Sequence, residues 1–235
     1  MTDAANRPDE HTATPQWRSW KLLGALALIA LAAGVLITAT TAFATRNLDA
    51  KLALQPEPGM ETLSIPPFAM TDMQGDTVTE AIFANHLTIL EFGFTNCPGA
   101  CPIMMTQMLE LQDDLAGTPA RFLFVSVDPA HDTPEQLARY AHDNGVDPDR
   151  WTLLTGEIED VRRWLVEGMK LSLETQPNSP LELDDGTTMA NIAHPTHLIL
   201  VGPDSKILGL YPAFAPEEVQ RLAERVKTAS KLWKN

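Results

Sequence analysis

Apolar positions along this chain fall into three patterns, each predicting a different kind of element. One is continuous. Leu22 to Ala44 is 23 residues without a charge, rich in Leu, Ala, Ile and Val, and as a helix it reaches about 34 Å at 1.5 Å per residue, enough to cross a bilayer. A second pattern is a set of short buried runs of strand length: Leu87 to Phe94 (LTILEFGF), Arg121 to Val127 (RFLFVSV) ended by Asp128-Pro129, and Trp151 to Leu154. Thr196 to Val201 and Lys206 to Tyr211 belong with these, as a hairpin about Gly202-Pro203-Asp204-Ser205, and Phe68 to Val78 predicts two short strands about a Gln-Gly-Asp turn. The third pattern has helical spacing, in Pro102 to Ala116, Ile158 to Met169 and Pro216 to about Leu232. Thr133-Pro134-Glu135-Gln136 opens a further helix to about Asn144, with Thr as cap, Pro first and an acidic first turn.

Between these elements, residues 45–65 carry Gln55-Pro56-Glu57-Pro58-Gly59 without sustained periodicity and read as a linker. Leu171 to Asn191, with Pro177, Pro180 and Gly186, reads as a polar loop. The order is a β-α-β half followed by a β-β-α half. It predicts an α/β, thioredoxin-like sandwich, a central mixed sheet with flanking helices, behind a single N-terminal transmembrane helix. The expected organisation is a cytoplasmic leader (1–21), an anchor (22–44), a linker (45–65) and one thioredoxin-like domain (66–235).

Charge narrows the role. The net charge is -14, and the first 21 residues are neutral, with Arg7, Arg18 and Lys21 against Asp3, Asp9 and Glu10, so the excess lies in the part after residue 44. An acidic surface repels phosphate backbones and anionic lipid, which argues against a nucleic-acid partner and leaves the one helix as the contact with the membrane. Ala42-Phe43-Ala44 has the small-x-small form of a signal-peptidase site, but the apolar run exceeds the about 7 to 15 residues of a signal h-region. A retained anchor in a bacterial inner membrane, with the soluble domain in the periplasm, is the expected localisation.

The candidate chemistry sits in Phe94-Thr95-Asn96-Cys97-Pro98-Gly99-Ala100-Cys101-Pro102, which holds both cysteines of the chain at the junction of a strand and a helix. A thiol at a helix N-terminus has its pKa lowered, because unpaired N–H groups and the helix dipole favour thiolate. A bridge closing so short a loop removes little chain entropy, so the pair is better suited to redox or metal chemistry than to stability. Pro102 is expected as the first helical residue, with Cys101 as the cap. Spacing alone leaves open a disulfide or a shared metal ion. A third ligand is sought among His86, His131, His142, His194 and His197, and the last two stand out because Ala193-His194-Pro195-Thr196-His197 enters the strand that passes beside the cysteine loop. Two sulfurs and an imidazole suit Cu(I) and leave Zn(II) wanting a fourth ligand. Met104, Met105 and Met108 are expected to pack, and Asp128 to end a strand or to tune a thiol.

The cysteine segment resembles the SCO/SenC family of copper-binding, thioredoxin-like assembly factors for cytochrome c oxidase. So do Val125-Ser126-Val127-Asp128-Pro129 followed by Asp132-Thr133-Pro134-Glu135, and His194 placed eight residues before Gly202-Pro203-Asp204. The resemblance covers roughly Pro66 to Lys227. It implies that Cys97, Cys101 and His194 bind one copper ion, with His197 as the fallback. The implied role is a metallochaperone serving the binuclear copper site of the oxidase. Its implied partners are the copper-site subunit and other copper chaperones or thiol reductases. The alternative is an enzyme, a thiol-disulfide oxidoreductase with Cys97 attacking and Cys101 resolving; a peroxide-handling role is suggested only by Ser126-Val127-Asp128-Pro129. The family usually has Asp where this chain has Gly99 and Ala193. His194-Pro195-Thr196 also resembles the cis-proline segment of thiol oxidoreductases.

Overall fold

In the computed structural model, residues 16–182, 186 and 188–233 are described; the leader's first 15 residues, with His11, lie outside them. Helix α1 (Gln16–Ala53) carries the apolar run and continues past Ala44. It is the one helix among the described residues long and apolar enough to cross a membrane. Two units follow from the internal contacts, Met1–Asn47 and Leu48–Asn235. The second begins with β1 (Ala69–Asp72) and β2 (Thr77–Thr79), paired antiparallel across a turn in which Gly75 takes φ +88°. Next come β3 (Thr88–Gly93), α2 (Ala100–Asp114), β4 (Arg121–Ser126), α3 (Pro134–Asn144) and β5 (Trp151–Thr155). After α4 (Ile158–Arg163) the chain forms a hairpin of β6 (Glu174–Glu182) and β7 (Thr188–Ala193), then β8 (His197–Val201), β9 (Ile207–Pro212) and α5 (Pro216–Ala229).

All six residues of β3 are buried, as an unbroken apolar run requires when both faces of a sheet are covered. β3, β4 and β5 run parallel, and β8 pairs antiparallel with β3 on its free side, giving the order β2-β1-β5-β4-β3-β8-β9. On one face, Met104, Met105 and Met108 of α2 pack with Leu137 of α3 and Leu222 of α5 against Ile89, Phe122 and Phe124. The methionines are therefore packing residues. On the other face, Phe68, Phe83 and Trp164 cover Leu90, Phe92 and Val125, with the Phe68 and Trp164 rings 4.3 Å apart. The thioredoxin-like sandwich holds.

Three expectations change. Residues 45–65 are not a loose linker: α1 runs on to Ala53, Ala50 is buried, and the stretch after it is bonded to the sheet. Glu57 N–H donates to Leu208 O (2.9 Å), Ile65 N–H to Ser205 O (2.8 Å) and Ile207 N–H to Leu63 O (3.0 Å). An aperiodic segment thus satisfies its backbone on the edge strand β9, which needs cover. Leu171 to Asn191 is not a loop but largely the β6-β7 hairpin, a polar two-stranded ribbon outside the main sheet, whose residues 183–185 and 187 lie outside the described set. Lacking a continuous buried face, it shows little of the alternation that marks a strand. The helix predicted from Ile158 to Met169 changes to a π-helical turn at Trp164–Gly168, where a Cβ on Gly168 would stand 2.5 Å from Ser64 O.

Arg225 ties the segment after α1 to the domain, donating to Ala53 O (3.0 Å), Leu208 O (3.0 Å), Glu57 Oε1 (2.9 Å) and Gln55 O. Arg225→Ala is expected to lower unfolding free energy by about 2 kcal/mol and to speed limited proteolysis between residues 54 and 62. Urea denaturation and mass mapping of the cleavage sites check both, and unchanged proteolysis would remove the clamp from this account.

Candidate thiol and metal site

β3 ends at Gly93, and the chain turns through Phe94 to Pro98 before entering α2. The Cys97 N–H closes the turn on Phe94 O at 3.3 Å. Gly99 is the N-cap of α2, so Cys101 is the second helical residue rather than the cap, and Pro102 is the third rather than the first. The position suits proline equally, because the N–H groups of the first turn have no intrahelical acceptor. With the helix starting two residues earlier, Cys101 lies in the interior, where it is 3% exposed, while Cys97 stays half-buried on the loop. Room for the inner sulfur comes from Gly93, where a Cβ would lie 2.9 Å from the Phe124 ring and 3.4 Å from Cys101 Sγ.

His194 arrives from the turn between β7 and β8. Its Nε2 lies 3.6 Å from Cys101 Sγ, and its ring stands edge-on to Phe94, with centroids 5.9 Å apart. Nδ1 is 3.1 Å from Pro195 O, an acceptor only, so Nδ1 carries the proton and Nε2 faces the sulfurs. His197, on β8 opposite Pro212, bonds to neither thiol; burial lowers its pKa and leaves its Nδ1 without a partner. The His194–Pro195 bond is trans, unlike the cis-proline segment that these residues resemble. These contacts are of hydrogen-bond type. Among the described residues, no group of three or more His, Cys, Asp or Glu side chains is gathered so as to hold a metal ion.

Neither cysteine is in a disulfide, and the two thiols differ in protonation. The Cys101 side chain, donating to Cys97, does most to hold Cys97 below the usual thiol range, with the N–H groups of Cys101 and Gly99 acting in the same sense and burial against them. The same bond, together with burial, pushes Cys101 up. The half-buried sulfur of Cys97 is thus the easier of the two to ionise, and the buried sulfur of Cys101 the harder.

Two acids that the sequence alone did not single out support this site. Asp132, 1% exposed, accepts from the Thr95 N–H (3.2 Å), Thr95 Oγ1 (2.6 Å) and Ser126 Oγ (2.5 Å), pinning the cysteine loop to the end of β4. Gln136 Nε2 completes the cluster at 3.3 Å from Thr95 Oγ1. Burial foremost raises the pKa of Asp132. Asp128, the acid considered from sequence, instead pairs with His131 at 2.7 Å. The second acid, Glu91, shares the α2 side of β3 with Ile89 and Gly93 by strand alternation. It is 2% exposed, and neither carboxylate oxygen has a hydrogen-bond partner. Desolvation pushes its pKa up to about 8, and its charge, when present, opposes thiolate formation at Cys101. A lone acid inside LTILEFGF was the available signal for Glu91. For Asp132 the signal was weaker, because an acid ahead of Thr-Pro-Glu reads equally well as a helix lead-in.

Gly99 leaves open space where a side chain would begin, and Ala193 directly precedes the histidine, so neither position adds a carboxylate to the thiol site.

Comparison with known proteins gives a consistent picture. The family model described as SCO1/SenC matches residues 57–231. The SCO1 protein homolog of Bacillus subtilis is 29% identical over 171 residues, covering 72% of this chain and 83% of its own length. Protein sco1 of Schizosaccharomyces pombe is 24% identical over 205 residues, covering 84% and 74% respectively. Among solved structures, BsSco, described as a member of the Sco family of cytochrome c oxidase assembly proteins with a disulfide switch, superposes with TM-score 0.61 at 27% identity, over 75% of this chain and 98% of that one. Yeast Sco1 with copper bound gives TM-score 0.57 at 26% identity, over 74% and 95%.

Two outcomes follow from the protonation pattern. Iodoacetamide at neutral pH should alkylate Cys97 roughly 100-fold faster than Cys101, read by peptide mass spectrometry; equal rates would contradict the assigned thiolate. Glu91 keeps in the folded state a proton that the unfolded chain releases above its ordinary pKa of 4.5, so it costs stability progressively as pH rises from 4.5 to about 8. Glu91→Gln should therefore match the parent below pH 4.5 and exceed it near pH 8 by on the order of 4 kcal/mol in urea unfolding.

Proposed function

Because this chain belongs to the SCO1/SenC family, we propose that it is a membrane-anchored copper metallochaperone serving the binuclear copper site of cytochrome c oxidase. Copper is the cargo, Cys97, Cys101 and His194 are its ligands, and α1 is a retained anchor that leaves the acidic domain in the periplasm. The observation that carries this function is the Nε2 of His194 lying 3.6 Å from the sulfur of Cys101, at the end of the loop that also holds Cys97. Two soft donors and one borderline donor favour Cu(I) over oxygen-seeking ions. The copper-bound yeast relative and the oxidase-assembly family of BsSco support the same choice of ion and pathway.

Cys97, the more readily ionised of the two thiols and half-buried, is suited to meet the ion first. Binding by Cys101 requires loss of its thiol proton, and His194 presents Nε2 without changing tautomer. Release follows the reverse logic: thiolates of the copper-site subunit replace these donors one at a time, with Cys97 the most accessible to exchange. The thiol pattern also favours a second function, thiol-disulfide oxidoreductase, since an ionised outer sulfur and a protonated inner one are the roles of attacking and resolving thiols.

Anaerobic Cu(I) titration of the reduced full-length chain in detergent, against a chromogenic chelator, separates the two. The chaperone predicts one copper per chain. Cys97→Ala and Cys101→Ala should each abolish tight binding, His194→Ala should weaken it roughly 10- to 100-fold, and His197→Ala should leave it unchanged. Absence of tight copper binding together with fast dithiol exchange would transfer the function to the oxidoreductase.

A further inference from the structure

Three segments meet at the thiol end of the domain: the cysteine loop with the first turns of α2, the turn between β7 and β8 that carries His194, and the turn between β9 and α5. The last is tied to the second by Ala213 N–H, which donates to Thr196 O at 3.0 Å. In a chain of net charge -14, the stretches Phe92 to Leu109, Thr188 to Pro203 and Ile207 to Pro216 contain no Asp, Glu, Lys or Arg. Beyond α1, the large apolar side chains exposed among the described residues are Ile103, Val166 and Phe214. Two of these, Ile103 (51% exposed) and Phe214 (50%), lie on the charge-free stretches, and Pro98 and Pro102 of the cysteine loop are exposed as well. One exposed apolar side chain needs no explanation. Several around a reactive sulfur, with charge excluded, have the composition of the core of a protein interface.

A groove leads away from this surface. It lies between α2 and α5, has a volume of about 260 Å³ and is floored by Leu111, Val219 and Ala223. Lys227 Nζ donates to Asp114 Oδ1 (2.7 Å), which joins the C-terminal ends of the two helices, so their N-terminal ends also lie together, at the thiol end. Helical spacing sets Ile103 in one row with Gln107, Glu110 and Asp114 of one wall, and Phe214 precedes Pro216 of the other wall by two residues. Ile103 and Phe214 thus flank the groove where it opens on the cysteine loop. Charge returns along its walls, and what is left unmatched is acidic. Among the described residues, neither Glu110 nor Glu217, in the first turn of α5, makes an ion pair. The nearby cations are already taken, Lys227 by Asp114 and Glu224, and Arg221 by Glu57 and Glu218. On the other side of the cysteine loop Asp128 is matched by His131.

We propose that this surface and groove seat the protein that exchanges with Cys97, through a segment in which apolar and basic residues flank a reactive cysteine. An apolar side chain of that segment rests between Ile103 and Phe214, and a lysine or arginine reaches along the groove to Glu110. The apolar contact positions the partner's sulfur at Cys97, and the acidic wall speeds encounter with a basic segment and selects against an acidic one. This deepens the proposed function, because it rests on Cys97 as the sulfur that meets the partner first.

The test uses short synthetic peptides whose single central cysteine is capped as a mixed disulfide with 2-nitro-5-thiobenzoate. The Cys97 thiolate attacks the peptide's sulfur, a new S–S bond joins the two, and the cap leaves as a coloured thiolate whose release gives the rate. One peptide flanks its cysteine on both sides with Leu and then Lys; one control has Glu in place of Lys, another has Ser in place of Leu. With the reduced full-length chain in detergent, the Leu and Lys peptide is expected to react roughly tenfold faster than either control. Ile103→Ser and Phe214→Ser should each remove most of the preference for Leu, and Glu110→Gln should cut the preference for Lys roughly threefold. Glu167→Gln, which removes the same charge from an exposed position on the other face of the sheet, should keep both preferences. Capped N-acetylcysteine is expected to react equally with every variant, establishing that Cys97 itself is unaltered. Equal rates for the three peptides in the parent, or preferences that survive in the Ile103, Phe214 and Glu110 variants, would overturn the surface. Cu(I) titration separates the two readings: a parent that binds no copper but keeps its peptide preferences overturns the chaperone function and supports the surface.

Discussion

Thr88 with Val201, Ile89 with Leu200, and Leu90 with Ile199 are the pairs that join β3 to β8. Through them the first half of the domain, which carries the cysteines, is held against the second half, which carries the histidine. Every one of these residues is buried, so a one-residue slip would turn apolar side chains from one core to the other, and the register is therefore strongly specified. The contact between Cys101 and His194, 93 residues apart in sequence, depends on that register. Smaller devices refine it: the missing Cβ at Gly93, the Asp132 cluster on Thr95, and the edge-on Phe94 ring beside His194.

The site's electrostatics cost stability. Glu91 lies in the interior with unpaired oxygens, Cys101 keeps its proton, and Asp132 is ionisable yet nearly inaccessible. These groups share one end of the sheet with an outer thiolate. A dry interior makes each charge there expensive, which is why only one sulfur of the pair ionises readily. The burden falls on the surrounding core, whose aromatic packing around Trp164 and whose methionine-rich α2 supply compensating burial.

Much of this was legible in the sequence because burial on both sides of a sheet leaves an unmistakable mark. LTILEFGF and RFLFVSV could hardly be anything but central strands, and Thr133-Pro134 announces its helix in both cap and first turn. The order of those elements gave the fold, and the two cysteines at the first strand-helix junction gave the place of the site. The residues by themselves left His194 and His197 open, since a spacing of three residues says nothing about which ring turns toward a distant loop, and the family resemblance put His194 first, the ring that lies beside Cys101. The β6-β7 hairpin was obscure for a different reason: a ribbon with little core contact needs no apolar period. Residues 54–65 were misread because their order comes from backbone bonds to β9 and from Arg225, interactions that leave no trace in hydrophobicity.

The position of His194 after the hairpin and immediately before β8 has a consequence for how the molecule matures. A newly made chain holds its two thiols close together from the moment they are synthesised, but the imidazole joins them only after β8 has docked on β3. An incompletely folded copy therefore offers a bare dithiol, and the contact between Cys101 and His194 appears only in the finished domain. Assembly of the site thus reports that folding is complete, which separates mature from immature copies without any further recognition element.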